Sequence, residues 1–376
     1  MISKKDMKII QKYPKLFIKN NAKIFSLLRE YPRNLSEIAR QLKMPTETVR
    51  SRVLKLVNSG LIKITAIVDY YKLGLGNYKA FVKPKAIKGI NFKDFFTIAP
   101  YTYLKTKVLG QLSGFYFGYN FPLDKERILY DFYEEARRAG LLKDYSIFKV
   151  TTPLYVFPDF SKYFDTKRRR WNIDWDAWVD AVLTTEKVEF PELSVVSKKA
   201  TFDEIDLTAI AMLQENGMVR FASIARNAGI TLQGLRYHYY EHIEDKKLIL
   251  GYHVDFYPYP PILCNEYVLW ISFTSEKNMF RFVGASVDKP FMKMFERIIG
   301  ENELLTTAVL PVFDQTKFFR SLEKLVDLEI ISFYKVGILD KEALYEVSTV
   351  PPGKYYRSGA WTVYESRIMN KIKRVS

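Results

Sequence analysis

The 376-residue sequence is poor in the residue types that carry much of metal and redox chemistry. Its one cysteine, Cys264, excludes an intramolecular disulfide and a metal site built from several cysteines. It also contains only three histidines. So little cysteine is typical of proteins from reducing compartments, and we expect a cytoplasmic protein.

Long apolar runs are absent as well. No stretch of about 18 apolar residues occurs, so we expect neither a membrane span nor a membrane partner. The N-terminal stretch MISKKDMKIIQKYPKLFIKN is basic but has no continuous apolar core, and we expect no secretory signal. Hydrophobic residues make up 48% of the chain, which is enough for several cores and predicts two to four domains.

Acidic residues are scarce in the N-terminal part. The net charge is +16, and residues 1–88 hold 20 Lys and Arg against 5 Asp and Glu. Residues 201–376 hold 21 against 22. A polyanionic partner such as nucleic acid is therefore expected at the N-terminal module.

Two stretches of the chain are near-copies. SEIARQLKMPTETVRSRV (36–53) and ASIARNAGITLQGLRYHY (222–239) align without gaps at an offset of 186 residues, and matched apolar positions continue from residues 24 and 210 to residues 69 and 255. A duplicated unit explains this register. Apolar residues at helical spacing predict three helices, and the alternating LIKITAIVDY predicts a β-hairpin, which together form a winged helix-turn-helix.

The third helix of this unit presents polar and basic side chains. Such a helix fits the DNA major groove, and lysines beside it can contact phosphates. A solvated helix face is the alternative, but the basic module favours DNA contact. The candidate DNA-binding residues are Lys43, Thr46, Glu47, Thr48, Arg50, Ser51, Arg52, Lys55 and Lys63 in the first unit and Gln233, Arg236 and Tyr237 in the second.

Residues 202–256 resemble the N-terminal domain of the Lrp/AsnC (feast/famine) regulators. The similarity rests on Asp203 and Asp206 in an Asp-x-x-Asp pattern, on an Ile-Ala patch and on ILGYHVDF after the last helix. Residues 22–82 resemble the same domain, including LGLGNYKAFV. After each unit the chain reads strand, helix, strand, strand, helix, strand, which is the ferredoxin-like order of the family's effector domain. The resemblance implies that one chain imitates the family's dimer, with two sheets face to face; a homodimer of the chain is a further expectation.

The expected fold class is α+β, with two winged helix-turn-helix domains alternating with two ferredoxin-like (βαββαβ) domains. A helix with tryptophans at helical spacing (Trp171, Trp175, Trp178) and a linker follow the first ferredoxin-like domain, and a basic tail that frays ends the chain. The predicted boundaries are 1–76, 77–165, 166–201, 202–258, 259–348 and 349–376.

The family's effector loop has a glycine followed three residues later by aspartate. This chain has Gly110 and Ser113 in one copy and Gly300 and Glu303 in the other, and these four are the candidate ligand-binding residues. Because the aspartate is missing, a free amino acid as small-molecule effector is in doubt.

HYYEH at 238–242 matches a zinc-protease pattern, with His238 and His242 as ligands and Glu241 as base. His242 aligns with Leu56, a core position, so we expect no metal site. Some proteins of Lrp/AsnC architecture are decarboxylases acting on a tetrapyrrole through effector-domain histidine and arginine. Neither predicted ferredoxin-like domain contains histidine, which argues against an enzyme.

The sequence thus predicts a DNA-binding transcriptional regulator that is not an enzyme and needs no cofactor, with double-stranded DNA and transcription machinery as partners. The Lys, Ile and Tyr content is typical of an archaeal protein. An architectural or protein-interaction factor that binds DNA with little sequence preference is the second interpretation, and an enzyme on the Lrp-like fold is the third.

Overall fold

The structure is a computed structural model that describes residues 13, 19–58, 62–86, 90–165, 167–168, 170–185, 199–346 and 349–374. Most of the predicted linker, residues 186–198, lies outside the described residues. The chain has mixed α/β structure with one large antiparallel sheet. Within the described ranges, no helix is long and apolar enough to cross a membrane.

The first helical unit begins with three short helices whose apolar stripes meet in one core. Asn34 caps the second helix by accepting a hydrogen bond from the Glu37 amide, and the third helix begins directly after Pro45. Ile38, Val49 and Val53 are fully buried between the helices. The elements are α1 (Lys19–Glu30), α2 (Leu35–Leu42), α3 (Thr46–Asn58) and β1 (Ile62–Val68).

The second helical unit repeats this order with a different third helix. Asp203 and Asp206 form a capping box at the start of its first helix. Its third helix is a short α-helix that continues as a π-helix over His238–Glu244. The elements are α8 (Glu204–Glu215), α9 (Phe221–Ala228), α10 (Leu232–Tyr237), the π-helix and β9 (Ile249–Phe256).

A strand–helix–strand–strand–helix–strand segment follows each helical unit. The first comprises β2 (Leu75–Pro84), α4 (Phe92–Phe95), β3 (Thr102–Gly110), β4 (Gly114–Pro122), α5 (Glu126–Arg138) and β5 (Leu142–Val150). The second comprises β10 (Cys264–Phe273), α11 (Glu276–Gly284), β11 (Met292–Arg297), β12 (Glu303–Pro311), α12 (Val312–Asp327) and β13 (Ile331–Leu339). The minor elements are β6 (Leu154–Tyr155), α6 (Phe160–Tyr163), β7 (Phe164–Asp165), β8 (Arg170–Trp171), β14 (Tyr345–Glu346), β15 (Tyr356–Arg357) and β16 (Ala360–Trp361).

The strands of both halves join into one sheet with the order β5-β2-β4-β3-β13-β10-β12-β11-β6. The halves meet where β3 pairs with β13, and Gly337 lies opposite Gly110 there. A Cβ on Gly337 would lie 2.2 Å from Val108 Cγ1, so the close approach requires glycine. An apolar cluster that includes Phe81, Val108 and Leu305 packs the two halves together within one chain. The resemblance implies two separate sheets face to face, whereas the β3–β13 pairing joins the strands of both halves into one sheet.

The last helix of each half packs against the other half. α7 (Trp175–Thr184) buries Trp178 and Val182 against α11 and α12, and α13 (Glu365–Lys373) packs on α5. The predicted tryptophan stripe is therefore only partly helical, because Trp171 lies in β8 and donates a hydrogen bond to the Pro258 carbonyl. The tail does not fray over its described residues, since Trp361 donates to the Leu73 carbonyl in the same way.

Candidate active site

The wing strands of the two helical units pair with each other. β1 runs antiparallel to β9, with Lys63 opposite Asp255 and Thr65 opposite His253. β1 alternates buried and more exposed residues, whereas β9 is buried mainly in its second half, and each strand supplies the backbone hydrogen-bonding partner that the other needs. The predicted separate β-hairpins are therefore wrong.

This β1–β9 ribbon and the large sheet enclose a cavity of about 440 Å³. Both halves contribute to its wall: β2 and β3 from the first, β9, β10 and β11 from the second. Its charged lining residues are Lys63, Lys79, Lys293, Glu215, Asp255 and Glu266, and His253 also lines it. We call this space the inter-half cavity.

A buried ion pair crosses from one half to the other at the wall of this cavity. Lys79 Nζ lies 3.1 Å from Glu296 Oε2, and at most 2% of either side chain is exposed. Asn77 donates a 2.9 Å hydrogen bond to the other Glu296 oxygen. Burial alone lowers the pKa of a lysine, but the neighbouring Glu296 carboxylate outweighs it, so the pKa of Lys79 is raised and its ammonium is kept.

A second charged group lies on β9, β10 and β11. Lys293 Nζ is 3.2 Å from Asp255 Oδ1 and 3.9 Å from Glu266 Oε1. Although burial opposes it, Lys293 and His253 hold the pKa of Asp255 below its usual range, and the carboxylates hold the pKa of Lys293 well above its usual range. Both groups are therefore charged at neutral pH.

His253 lies between this charged group and an aromatic ring. Its Nε2 is 3.8 Å from Asp255 Oδ1, and its ring stacks on Tyr155 at a centroid distance of 4.3 Å. Stacking and the carboxylate together fix the plane of the imidazole. The side chain is 10% exposed, so it is accessible mainly from the cavity.

Neutral hydroxyl groups complete the lining. Burial raises the pKa of Tyr70, and it raises the pKa of Tyr155 well above its usual value. Both phenols therefore keep their protons. Tyr103 donates a 3.0 Å hydrogen bond to Asn77 Oδ1. Tyr70 shares a 2.6 Å hydrogen bond with Thr349 Oγ1. The cavity thus offers ammonium and hydroxyl donors to an anionic ligand and an imidazole to move a proton.

Sequence reasoning missed this site because His253 lies in the strand after the second helical unit, outside the predicted ferredoxin-like segments. The absence of histidine from the ferredoxin-like segments was counted against an enzyme, yet the β1–β9 pairing brings His253 against them. A signal was present for two other residues: Lys79 lies within NYKAFV and Glu296 within MFERII, where a charge interrupts an apolar strand.

The candidate DNA-binding residues differ in exposure and do not form one surface. Arg50 is exposed and lies 3.6 Å from Glu47, and Arg52 is half-buried and donates to Asn21 Oδ1 at 3.2 Å. Lys63 lines the inter-half cavity instead of extending from a wing. The other exposed members of the set are Lys43, Glu47, Ser51, Lys55, Lys63, Gln233, Arg236 and Tyr237; Thr46 and Thr48 are half-buried.

The candidate effector-loop residues do not form one site. Ser113 lines a second cavity of about 280 Å³, together with Trp270 and Lys335 from the other half. Glu303 accepts a 2.7 Å hydrogen bond from Trp270 Nε1, behind this cavity. Gly110 lies at the β3–β13 junction, and Gly300 is exposed in a turn.

Comparison with known proteins gives structural similarities only. No protein-family model matches, and no curated protein matches. A crystal structure of the siroheme decarboxylase NirDL superposes on 94% of this chain and 98% of its own, with a TM-score of 0.57 and 12% identity. NirDL in complex with an iron-uroporphyrin III analogue matches 95% of this chain and 100% of its own, with a TM-score of 0.58 and 12% identity. A transcriptional regulator from Neisseria meningitidis in complex with L-Met matches 39% of this chain and 96% of its own, with a TM-score of 0.33 and 20% identity.

These comparisons correct the functional prediction. The structures that match nearly the whole chain belong to an enzyme, so the expectation of a DNA-binding transcriptional regulator and the expectation of a non-enzyme are both wrong. At 12% identity the likeness shows the fold alone, so the third interpretation, an enzyme on an Lrp-like fold, stays a proposal. The mixed α/β fold with a large antiparallel sheet agrees with the resemblance that the sequence suggested.

Proposed function

We propose that this chain is a decarboxylase that removes carboxyl groups, as CO2, from a tetrapyrrole of the siroheme class. The observation that carries the proposal is the likeness to NirDL over nearly the full length of both chains. Identity of 12% transfers no residue role. The roles below therefore rest on the geometry of the inter-half cavity.

The cavity suits a large anionic ligand. Its volume of about 440 Å³ is within the usual range for organic ligands. Lys79 and Lys293 lie in walls from different halves, so a ligand with several carboxylates can bind ammonium groups on two sides. Both lysines already have carboxylate partners, so neither is left as an unpaired buried charge when the cavity is empty. In the complex each ammonium group donates to its protein carboxylate and to a substrate carboxylate.

His253 is our candidate proton donor. In the proposed step the bond between a ring-bound methylene and its carboxylate breaks, CO2 leaves, and the electron pair stays on the methylene carbon, delocalised into the ring. A proton donated by the His253 side chain then completes a methyl group, so one proton is consumed for each CO2 released. Solvent returns a proton to His253, whose Nε2 lies 3.8 Å from Asp255 Oδ1.

The reaction can be tested directly by incubating the purified chain with siroheme and measuring product masses. We expect products lighter by the mass of one or more CO2 molecules. His253→Gln should bind the pigment, measured by its visible spectrum, but form product much more slowly.

An unchanged product mass after prolonged incubation with the folded parent would refute decarboxylation of siroheme. Spectral binding without turnover would leave a tetrapyrrole-binding protein and remove the enzymatic part of the proposal. A His253→Gln variant with the parent's rate would remove His253 from the mechanism and leave the reaction in place.

The same proposal includes the domain organisation. We interpret the chain as two winged helix-turn-helix domains and two ferredoxin-like domains that together form an internal pseudo-dimer. Support comes from the β1–β9 register, which pairs Thr65 with His253 and Ile67 with Gly251. At the repeat offset of 186, Thr65 corresponds to Gly251 and Ile67 to His253. Each position therefore pairs with the counterpart of the other, as expected for two copies related by a two-fold axis. Light scattering should give a monomer mass if the internal dimer replaces a second chain.

A further inference from the structure

Outside the cavity, the second helical unit gathers two histidines and two aspartates. His238 Nδ1 lies 2.9 Å from Asp206 Oδ1, and His242 Nδ1 lies 3.0 Å from Asp206 Oδ2. Asp203 Oδ2 is 3.6 Å from His238 Nδ1. One potential ligand atom from each of the four residues lies within 4.8 Å of all the others, and the described parts of the chain hold no other such group of three or more.

These separations are close to those of a four-coordinate metal site. Zn²⁺ binds imidazole nitrogen and carboxylate oxygen at about 2.0–2.1 Å, and a tetrahedron of such bonds places neighbouring ligand atoms roughly 3.3 Å apart. Three nitrogen–oxygen distances, 2.9, 3.0 and 3.6 Å, differ from this by a few tenths of an ångström, although the first two use different oxygens of Asp206. For an ion to bind, side-chain rotation has to bring one Asp206 oxygen within reach of both histidines.

The local backbone supports the arrangement. The π-helix His238–Glu244 carries both histidines, and π-helical turns are rare and often occur at functional sites. The two imidazoles meet edge to face, with ring centroids 4.9 Å apart. Asp206 is fully buried at the base, whereas Asp203 is 49% exposed, so an ion can enter from solvent.

The alternative is that Asp206 serves only as a structural hydrogen-bond acceptor. Its Oδ2 also accepts from the Asp203 amide, as part of the capping box, so the group is satisfied without an ion. A capping box alone, however, needs neither histidine. At the repeat offset, Arg52 and Leu56 stand at these two positions in the first unit, and that unit folds with the same helix order.

We propose that His238, His242, Asp206 and Asp203 bind one divalent transition-metal ion of the Zn²⁺ class. The ion takes the place of the protons that now join the imidazoles to Asp206. It ties the start of α8 to the π-helix and so stabilises the second helical unit. Glu241, the base of the zinc-protease pattern, is exposed and is not one of the four ligands, so this is a structural site and not a protease centre.

The test uses the full chain, stripped with a chelator and titrated with Zn²⁺ by calorimetry and with Co²⁺ by visible absorption. We expect one ion per chain and the intense bands of tetrahedral Co²⁺. His242→Gln should weaken Zn²⁺ binding by at least about tenfold. Asp203→Asn should also weaken it while keeping the helix cap, because asparagine caps as well as aspartate.

His253→Gln is the matched control, since it removes the one histidine outside the cluster. It should bind Zn²⁺ like the parent. No uptake by the folded parent would overturn the proposal. Equal affinity of the parent, His242→Gln and Asp203→Asn would also overturn it, as would loss of binding in His253→Gln alone.

Discussion

The wing strands β1 and β9 occupy equivalent places in the two halves, but they bring different chemistry to the inter-half cavity. β9 carries His253 beside Asp255; at the repeat offset the first half has Ile67 in β1 and Asp69 directly after that strand. The backbone pattern is duplicated, and the imidazole is not. The difference shows that the two copies of a repeat can share a backbone arrangement while only one of them carries an imidazole at this position.

The two helical units differ in the same way. In the first, α3 is a continuous α-helix with exposed Arg50 and Lys55. In the second, α10 passes into a π-helix whose histidines meet Asp206. The buried apolar positions are alike because both units must fill a core, whereas the polar positions are free to diverge.

The largest expected effect tests whether only β9 carries the chemistry. His253→Gln should lower the decarboxylation rate by about 10²–10⁴-fold, the usual worth of a positioned general acid. The matched change at the equivalent place in β1, Ile67→Val, should leave the rate close to that of the parent. Similar rate losses in the two variants, measured from product masses over time, would contradict the asymmetry.

The second prediction breaks the contact between the halves. Lys79→Met leaves the Glu296 carboxylate buried without its cation, which should cost about 3–5 kcal/mol of unfolding free energy. Urea unfolding measures the loss. The double variant Lys79→Met/Glu296→Leu should recover most of it, because no buried charge is then left alone; a double variant as unstable as the single one would contradict this explanation.

The third prediction concerns the β3–β13 junction. Gly337→Ala places a Cβ against Val108, and this overpacking should cost about 1–3 kcal/mol. Val108→Ala in the same chain should relieve the contact. Thermal unfolding of both variants decides the point, and an additive loss in the double variant would argue against direct contact at the junction.

The smallest effect concerns acid stability. The pKa of Asp255 is depressed in the folded chain, so its stabilising contribution is present above the unfolded value of about 3.9 and is lost as pH falls through the lower folded value. Asp255→Asn should therefore reduce the loss of thermal stability on acidification below about pH 4. An unchanged acid dependence in this variant would show that Asp255 does not contribute to it.

Local patterns predicted much of the fold. Periodicity indicated the three helices of each unit and the order of strands and helices after them. The pairing of β1 with β9 could not be derived, because the partner strand lies about 186 residues away and a hairpin satisfies the same alternating pattern. His253 reaches the cavity only because β9 pairs with β1, so the site could not be predicted without that pairing.

The pairing of buried charges was a second feature that the sequence did not predict. Lys79 and Glu296 each interrupt an apolar strand, which marks them as unusual, but nothing in the sequence says that they face each other. The packing of the last helix was a third feature that the sequence did not predict. Its basic composition suggested fraying, whereas Ile368 and Ile372 at helical spacing bury α13 against the other half.

The most direct test of the central claim is a crystal structure of this chain with an iron-uroporphyrin analogue. Our account predicts the ring in the inter-half cavity, with ligand carboxylates within hydrogen-bonding distance of Lys79 and Lys293 and a side-chain methylene next to His253. A ring bound outside this cavity, or bound inside it with His253 remote from every carboxylate-bearing side chain, would contradict it.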